Sequence, residues 1–236
     1  MLTYSARERD PAGVEDDDER LPVWWYARLV RRLCPKGARV LDFGCGSGAL
    51  LRRLLPDFEV LGYDPAGAQR HRCRTTVPDA LILEDWRTLP AASLDLIVSV
   101  RGLERVGQPL ATLQALAAKL RPGGVLVFAA ANPGGLGRRL KGARWFAGRE
   151  AAQLRLPTQA EWRMLVRRAG FEVVTVCGDG LWDAPYVRGI PVALQRALFR
   201  MPAILQLVWP LGRPCSVPTL GECLVVISRK PSHAYA

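Results

Sequence analysis

Short apolar segments alternate with amphipathic segments along most of the chain. Seven segments have the length and the branched, apolar content of buried strands, whereas the intervening segments show helical spacing. The strand-like segments are 38–44, 58–64, 79–86, 94–100, 124–132, 171–177 and 222–230, and the helix-like ones are 47–56, 66–75, 108–124 and 158–170. This alternation predicts an α/β fold with a doubly wound parallel sheet.

The two ends of the chain differ in character. Residues 1–20 are polar and acidic, and we interpret them as a flexible leader. Residues 21–37 follow as an amphipathic helix, with Trp24 and Trp25 on its apolar face. A capping box, Thr158 followed by Glu161, marks the start of a later helix. We therefore expect one domain over residues 21–236.

Residues 180–220 interrupt the alternation between the last two strands. The segment has Pro and Gly near its ends and an apolar middle, and it is expected to form two short helices separated at Pro202. Arg196 and Arg200 lie four residues apart in it. It is interpreted as a lid over an apolar acceptor. Contact of residues 191–211 with a membrane surface, or ordinary packing or a dimer interface, are the alternatives.

Charge and cysteine content narrow the classes of protein. The chain has 33 basic and 22 acidic residues, a net charge of +11, and the leader is acidic, so the remaining chain is strongly basic. The six cysteines form no CxxC pair, which favours reduced thiols in the cytoplasm and no metal site. No apolar run is long enough to span a membrane, and the first residues lack the apolar core of a secretion signal.

The stretch VLDFGCGSG places glycines where the first strand gives way to a helix. A Gly-rich turn at the carboxyl end of a parallel strand lets a ligand approach the backbone, and the following helix offers free N–H groups. Asp42 precedes the turn, and Asp64 ends the second strand, 20 residues after Gly44. A carboxylate at that place accepts hydrogen bonds from the hydroxyls of an adenosine ribose. The alternative role for Asp64 is that of a helix N-cap. The occurrence of Asp64 together with the Gly-rich turn favours binding of the ribose.

These motifs, taken in order, resemble the class I S-adenosylmethionine-dependent methyltransferases, in particular those acting on small molecules and quinones. VLDFGCGSG resembles their first motif. The later matching segments are VLGYDPAG, LILEDWRTLP, LDLIVSVRGLERVGQP, LAAKLRPGGVLVFAAAN and RLPTQAEWRMLVRRAGFEVV. The resemblance covers residues 22–178 and 222–230. It implies a Rossmann-like, doubly wound fold with a seven-stranded, mostly parallel sheet, an antiparallel last strand and helices on both faces.

The resemblance also implies where S-adenosylmethionine would bind. Its methionine part would lie over the first turn and its ribose on the acidic loop, while a carboxylate of the third loop would bond the adenine, with Trp86 or Leu83 against the ring. Asp85 would supply that carboxylate, with neighbouring Glu84 as its rival. The other interpretation of Asp85 is a solvated loop acid. The expected cofactor residues are Arg28, Asp42, Gly44, Cys45, Gly46, Gly48, Asp64, Pro65, Asp85, Trp86 and Val100, with Arg101 beside the methyl-transfer zone.

The helix before the first strand resembles a segment that covers the cofactor in relatives. Arg28 would then pair with the methionine carboxylate, although an exposed arginine on an amphipathic helix has the same pattern. Trp24 and Trp25 either close the pocket or anchor the helix.

No general base is evident. Many relatives have His where this chain has Arg105, and an arginine side chain does not readily release its proton. His71 lies in a basic helix and His233 near the end of the sequence, so neither is favoured. Glu104, Tyr26 and Tyr186 are candidates without a spacing argument, and the catalytic residue stays unknown.

The expected acceptor is a small, apolar molecule. The basic, Gly-rich loop 132–146, with Trp145 and Phe146, either contacts an anionic substrate or is solvated. The position after the fourth strand reads SVRGLE and lacks the Asn/Asp-Pro-Pro-aromatic stretch of amino-methylating DNA enzymes, so no specific nucleic acid is expected. A non-catalytic protein that binds a partner or a membrane surface is the alternative, and methylation of a nucleic acid or a protein is the lesser one. The oligomeric state is not encoded in any pattern that we recognise.

Overall fold

The computed structural model describes residues 23–145, 147, 156–208 and 218–232. The predicted leader, Phe146 and His233 lie outside these residues. The strands are β1 Arg39–Phe43, β2 Glu59–Tyr63, β3 Leu81–Ile82, β4 Leu94–Val100, β5 Leu120–Ala131, β6 Glu172–Gly178 and β7 Cys223–Arg229. The helices are α1 Val23–Leu33, α2 Ala49–Leu54, α3 Gly67–Thr76, α4 Pro109–Lys119, α5 Leu136–Lys141, α6 Gln159–Arg168 and α7 Val192–Val208.

One seven-stranded sheet organises the chain, in the order β3-β2-β1-β4-β5-β7-β6. The first five strands pair in parallel, whereas β7 lies antiparallel between β5 and β6. The predicted sheet and its antiparallel last strand are confirmed. Strand order reverses between β1 and β4, so the carboxyl ends of these two strands form the switch point at which α/β proteins bind ligands.

Two apolar clusters cover the faces of the sheet. Helices α1, α2 and α3 contribute to one cluster, which contains Trp25 and Cys73. Helices α4 and α6 contribute to the other, which contains Leu113 and Trp162. The strands are apolar on both faces because each face is covered, as expected for a parallel sheet.

The predicted capping box of α6 is confirmed, whereas the predicted apolar face of α1 is only partly correct. Thr158 Oγ1 accepts a hydrogen bond from the N–H of Glu161 at 3.3 Å, and Glu161 Oε2 accepts one from the N–H of Thr158 at 2.8 Å, so the capping box is formed. In α1 Trp25 is fully buried, but Trp24 is 38% exposed. The two tryptophans therefore do not share one buried face.

Three expectations about local structure were wrong. Residues 192–208 form one helix that continues through Pro202. A proline removes one helical hydrogen bond, and the surrounding Leu, Ala, Arg and Met residues favour the helix strongly enough to continue it. The loop 132–146 contains helix α5. Strand β3 pairs over only two residues, because the chain leaves the sheet at Leu83.

Candidate active site

The turn after β1 is held against β2 by its own backbone. The N–H groups of Gly44 and Cys45 both donate to the carbonyl oxygen of Tyr63, at 2.7 and 3.0 Å. Gly44, Gly46 and Gly48 have φ angles of 89°, 53° and 90°, a region that L side chains rarely adopt. The glycines are therefore needed for the path of the backbone before any ligand is considered.

The three glycines nevertheless have different surroundings. A Cβ on Gly44 would lie 2.9 Å from the Cα of Gly102, and one on Gly48 would lie 2.7 Å from the Sγ of Cys73. A Cβ on Gly46 would meet nothing within 4 Å. Gly44 and Gly48 thus allow close packing within the protein, and Gly46 is the glycine that leaves open space at the turn.

Asp64 is buried at the end of β2, and its carboxylate is oriented by two backbone donors. Its Oδ2 accepts from the N–H of Gly46 at 3.1 Å, and its Oδ1 accepts from the N–H of Ala66 at 2.9 Å. Pro65 follows it, half-buried. The first bond fixes the acid loop against the Gly-rich turn, so the two predicted halves of the cofactor site are in contact.

Asp42 lies one residue before the end of β1 and is almost fully buried. Burial raises the pKa of its carboxyl from the ordinary 3.8 to about 8, and the neighbouring charge of Asp64 adds to this rise. At neutral pH a proton on Asp42 removes the repulsion between the two acids.

Glu84 and Asp85, the two acids of the third loop, bind different partners. Glu84 binds Arg70 at 2.8 Å and Arg74 at 2.5 Å. Arg70 Nη1 also donates to the carbonyl oxygen of Asp64 at 2.7 Å, so this arginine links the second and third loops. Asp85 instead caps a short 3₁₀ helix by accepting from the N–H of Arg87 at 2.9 Å, and its side chain is 46% exposed.

Leu83 and Trp86, the two residues considered for the adenine ring, differ in burial. The Trp86 indole is 2% exposed and packs edge-on against Phe43, with a centroid separation of 5.6 Å. Leu83 is half-buried at the edge of the same apolar cluster. Leu83 therefore offers the more accessible apolar surface at this edge of the sheet.

The end of β4 is bent sharply. Val100 is half-buried, and Arg101 has a φ of 61°, which is uncommon for a residue with a side chain. Arg101 Nε bonds Glu104 at 2.5 Å, and Glu104 also accepts from the N–H of Ala131. A buried ion pair thus fixes this bend, and it ties the loop after β4 to the end of β5.

Arg28 and the remaining predicted side chains of α1 have distinct positions. Arg28 is exposed, whereas Trp25 packs in the core and Trp24 lies at the surface. Trp24 meets Trp182 edge-on, with a centroid separation of 5.7 Å. Trp25 is therefore an anchor of the helix, and Trp24 forms part of a rim with the segment after β6.

A second set of buried acids lies beyond the carboxyl end of β6. Tyr26 donates to Asp179 at 2.7 Å, and the N–H of Cys223 donates to the same carboxyl at 2.8 Å. Glu222 accepts from Trp145 Nε1 at 2.6 Å and from the Tyr186 hydroxyl. Burial raises the pKa of Asp179 to about 7 and raises the pKa values of Glu222, Tyr26 and Tyr186.

The hydrogen bonds of Tyr26 and Tyr186 make both side chains poor candidates for a general base. Tyr26 and Tyr186 each donate their proton to a carboxylate, and a raised phenol pKa disfavours proton removal. Glu104 is bound in its ion pair, and His71 is exposed on α3. No described residue is thus placed as an obvious general base.

Sequence reasoning missed several residues of this edge. Gly102 and Asp179 follow β4 and β6, at the same kind of position that identified Asp64, and that rule would have found them. The clamp formed by Arg70 had no such signal, because it depends on contacts between helix α3 and two loops.

A cavity of about 380 Å³ lies elsewhere, between the end of β5, the start of α6 and the residues before β7. Asn132, Thr158 and Arg163 contribute to its walls. None of the predicted cofactor residues lines it, so it is separate from the turn around Gly46.

Similarity to a known protein family identifies the class of this protein. A family model described as a methyltransferase domain matches residues 18–176. The chain belongs to this methyltransferase family. The observed sheet and its switch point agree with the match, and S-adenosylmethionine is the cofactor of the family.

Individual relatives span several substrates. The chain is 30% identical over 183 residues to the ubiquinone biosynthesis O-methyltransferase of Cereibacter sphaeroides, covering 71% of this chain and 73% of that protein. It is 29% identical to the tRNA U34 carboxymethyltransferase of Alteromonas mediterranea, covering 70% of this chain and 54% of that protein. The methyltransferase crystallised with the Trm112 activator of Haloferax volcanii has a TM-score of 0.66 and 21% identity, covering 93% of each chain, which shows a shared fold.

The residues at the turn fit S-adenosylmethionine on structural grounds. Gly46 leaves space where a side chain would otherwise stand, and Asp64 presents an oriented, buried carboxylate beside it. Within the described ranges, no group of three or more His, Cys, Asp or Glu residues is arranged to hold a metal ion. The same ranges contain no helix long and apolar enough to cross a membrane.

The raised pKa of Asp42 predicts a specific pH dependence of stability. Between about pH 4 and 8 the folded protein keeps a proton that the unfolded chain releases, so the contribution of Asp42 to stability falls as pH rises through this window. Asp42→Asn, which mimics the protonated carboxyl, should therefore lose less stability than the wild type between about pH 5 and 8. Urea unfolding at several pH values measures this difference.

A matched control is Asp57→Asn. Arg31 lowers the pKa of Asp57, so this carboxyl is ionised in both states across the window, and the variant should keep the wild-type slope. Asp179 also titrates near pH 7, so the slope of Asp42→Asn is reduced and not abolished. Parallel slopes for Asp42→Asn and the wild type would contradict the prediction.

Proposed function

We propose that this chain transfers a methyl group from S-adenosylmethionine to a small, largely apolar acceptor, bound between the carboxyl end of β4 and the segment after β6. One observation carries the proposal: the turn left open at Gly46 lies against the oriented carboxylate of Asp64, at the point where strand order reverses. This arrangement supplies both an approach for the cofactor and an acceptor for its ribose hydroxyls.

The roles of the remaining cofactor residues follow from their positions. The turn from Asp42 to Gly48, including Gly44 and Cys45, lies under the methionine part, and exposed Arg28 on α1 would reach its carboxylate. Asp85 faces the adenine amino group, because Glu84 is already bound by Arg70 and Arg74. Leu83 covers the ring, since Trp86 is enclosed in the core. Pro65 and Val100 border the ribose and the reacting methyl group.

The cofactor supplies a methyl group on a sulfonium sulfur, which is itself the leaving group of an in-line displacement. The protein then has to align the acceptor and exclude water. Because the described residues offer no placed base, an acceptor whose proton leaves easily, such as a phenol or quinol, fits best. The relative named for ubiquinone biosynthesis supports this class. The relative named for a tRNA reaction, together with the net charge of +11, keeps nucleic acid as the competing class.

Removal of the charge on Asp64 tests the cofactor assignment. Asp64→Asn keeps an oxygen that can accept from Gly46 or Ala66 but loses the charged acceptor for the ribose. Its affinity for S-adenosylmethionine should fall about tenfold to a hundredfold, the effect of losing about 1.5–3 kcal/mol from hydrogen bonds to a charged group. Isothermal titration calorimetry measures the change, with Asp57→Asn as the matched control.

Unchanged affinity of Asp64→Asn, with the wild-type unfolding temperature retained, would exclude the ribose role. If the wild type itself fails to bind at millimolar cofactor, the protein is a non-catalytic relative that binds a partner or lipid.

The acceptor class is tested by measuring release of S-adenosylhomocysteine. The wild type should turn over alkylated phenols or hydroquinones, with activity rising as the alkyl chain lengthens, and should not turn over unfractionated tRNA. Asp64→Asn in the same assay shows that the signal depends on the proposed site. Turnover confined to tRNA or to a protein substrate would replace the proposed acceptor.

Contact with a membrane surface is a second candidate function, favoured by one side of helix α7. Leu194, Leu198 and Met201 recur at helical spacing, and they are 51%, 60% and 47% exposed. Arg196 is exposed on the same helix, whereas Arg200 is half-buried, so the two arginines are not equally accessible. An exposed apolar stripe with a nearby cation suits an anionic lipid surface, from which an apolar acceptor would be taken.

Sedimentation with vesicles tests this contact. The wild type should bind vesicles that contain phosphatidylglycerol more strongly than vesicles of phosphatidylcholine alone, and added salt should weaken the binding. Leu194→Glu combined with Leu198→Glu should abolish it. Met164→Glu combined with Val174→Glu, which places the same two charges on exposed apolar residues of α6 and β6, is the control. Equal binding by the control and the α7 variant to vesicles would contradict the role of α7.

A further inference from the structure

Arg200 is a half-buried cation for which the described residues supply no counterion. Three buried side-chain nitrogen atoms lack a hydrogen bond in the described part of the chain: Arg39 Nε, Trp162 Nε1 and Arg200 Nε. Arg39 Nε still lies 2.8 Å from Glu59, and the Trp162 indole is neutral. Arg200 Nε alone among these atoms is charged and unneutralised, which is a costly state for a buried group.

The carboxylates of the surrounding segment do not neutralise Arg200, because each binds another group. Asp179 accepts from Tyr26 and from the N–H of Cys223. Asp183 pairs with Lys141. Glu222 accepts from Trp145 and Tyr186. Burial and neighbouring Arg196 lower the pKa of Arg200, as expected for a cation without a carboxylate partner among the described residues.

A buried tryptophan determines where this cation lies. The Arg200 guanidinium carbon is 5.6 Å from the centroid of the Trp182 ring, a distance typical of a cation–π contact. The Trp182 indole is itself fixed, because its Nε1 donates to the carbonyl oxygen of Asp179 at 2.5 Å. The guanidinium is therefore held by a rigid ring and not by an acid, which leaves its hydrogen-bond donors available to a ligand.

The Arg200–Trp182 pair adjoins the same apolar cluster as the predicted methyl-transfer zone. Trp182 belongs to the apolar cluster that includes Cys45 of the cofactor turn, and Val100 packs against that cluster. Trp24 of α1 adds a partly exposed aromatic ring, which meets Trp182 edge-on. An aromatic surface and an unneutralised arginine thus lie together at the rim between α1 and α7.

We propose that Arg200, stacked on Trp182, binds an oxyanion of the acceptor, a carboxylate or a phosphate attached to an aromatic or apolar body that packs on Trp24 and Trp182. This inference rests on the proposed function, since it places the acceptor beside the methyl-transfer zone. Among apolar acceptors, it favours those that also carry a carboxylate or a phosphate. The guanidinium has lost water through burial and has no carboxylate partner among the described residues. It should therefore bind an anion much more tightly than the neutral analogue of that anion.

The test uses 2-naphthoate and its neutral analogue 2-naphthamide as probes, titrated into the full chain by calorimetry after saturation with S-adenosylhomocysteine. Naphthoate should bind at least tenfold more tightly than the amide. Arg200→Met, which keeps an unbranched apolar side chain over Trp182, should remove this difference, and Arg196→Met should keep it. Arg200→Lys, which restores the charge, should recover part of the difference.

Several outcomes would overturn the proposal. One is equal binding of the acid and the amide by the wild type, a comparison that requires no variant. Another is an unchanged preference in Arg200→Met. A third is a large gain in naphthoate affinity when Asp16, Asp17 and Asp18 of the leader are changed to Asn. Such a gain would mean that the acidic leader, and not the acceptor, is the partner of Arg200. The prior titration with S-adenosylhomocysteine separates these results from failure of the proposed function, which would appear as loss of that binding.

Discussion

The close approach of two backbones at the switch point constrains the rest of the site. A Cβ on Gly44 would lie 2.9 Å from Gly102, and a Cβ on Gly102 would lie 2.5 Å from the carbonyl oxygen of Phe43. The Ser99 hydroxyl joins the same two segments by donating to that carbonyl at 2.7 Å. Because the turns after β1 and β4 touch in this way, the open space at Gly46 and the bend at Arg101 have a fixed relation. One contact therefore fixes the relative positions of the turns after β1 and β4.

Electrostatics gives this edge of the sheet its second constraint. Asp42, Asp64, Asp179 and Glu222 are all buried along the carboxyl ends of the strands, where ionised groups are costly unless they are bonded. Asp64 is stabilised by two backbone N–H groups, whereas the pKa of Asp42 rises to about 8. A neutral Asp42 beside an ionised Asp64 lets two acids share one turn. Protonation of Asp42 therefore relieves the repulsion that a second charge would exert on Asp64, the residue that we propose for the ribose.

The sequence predicted most of what depends on local pattern. The seven strands, the capping box at Thr158 and the Gly-rich turn follow from residues close together in the chain, and the structure has them. The continuous helix through Pro202 was mispredicted because local rules weigh one lost hydrogen bond above the helix formers on either side. The roles of Arg70 and Arg200 were beyond prediction, since their partners lie on other elements. The assignments of individual residues to the cofactor remain predictions of the motifs, although the geometry now separates Glu84 from Asp85 and Leu83 from Trp86.

The two halves of the site are consequently built in different ways. The cofactor half uses short turns, each of which follows its own strand, so its geometry depends on neighbouring residues. The half that we propose for the acceptor depends on long-range bonds: Tyr26 reaches Asp179 across 153 residues of sequence, and Trp145 reaches Glu222 across 77. Such bonds can be exchanged without altering the sheet, because they join loops and helices outside it. A family that keeps one cofactor and varies its acceptor is expected to change at these positions, and Arg200 on α7 lies among them.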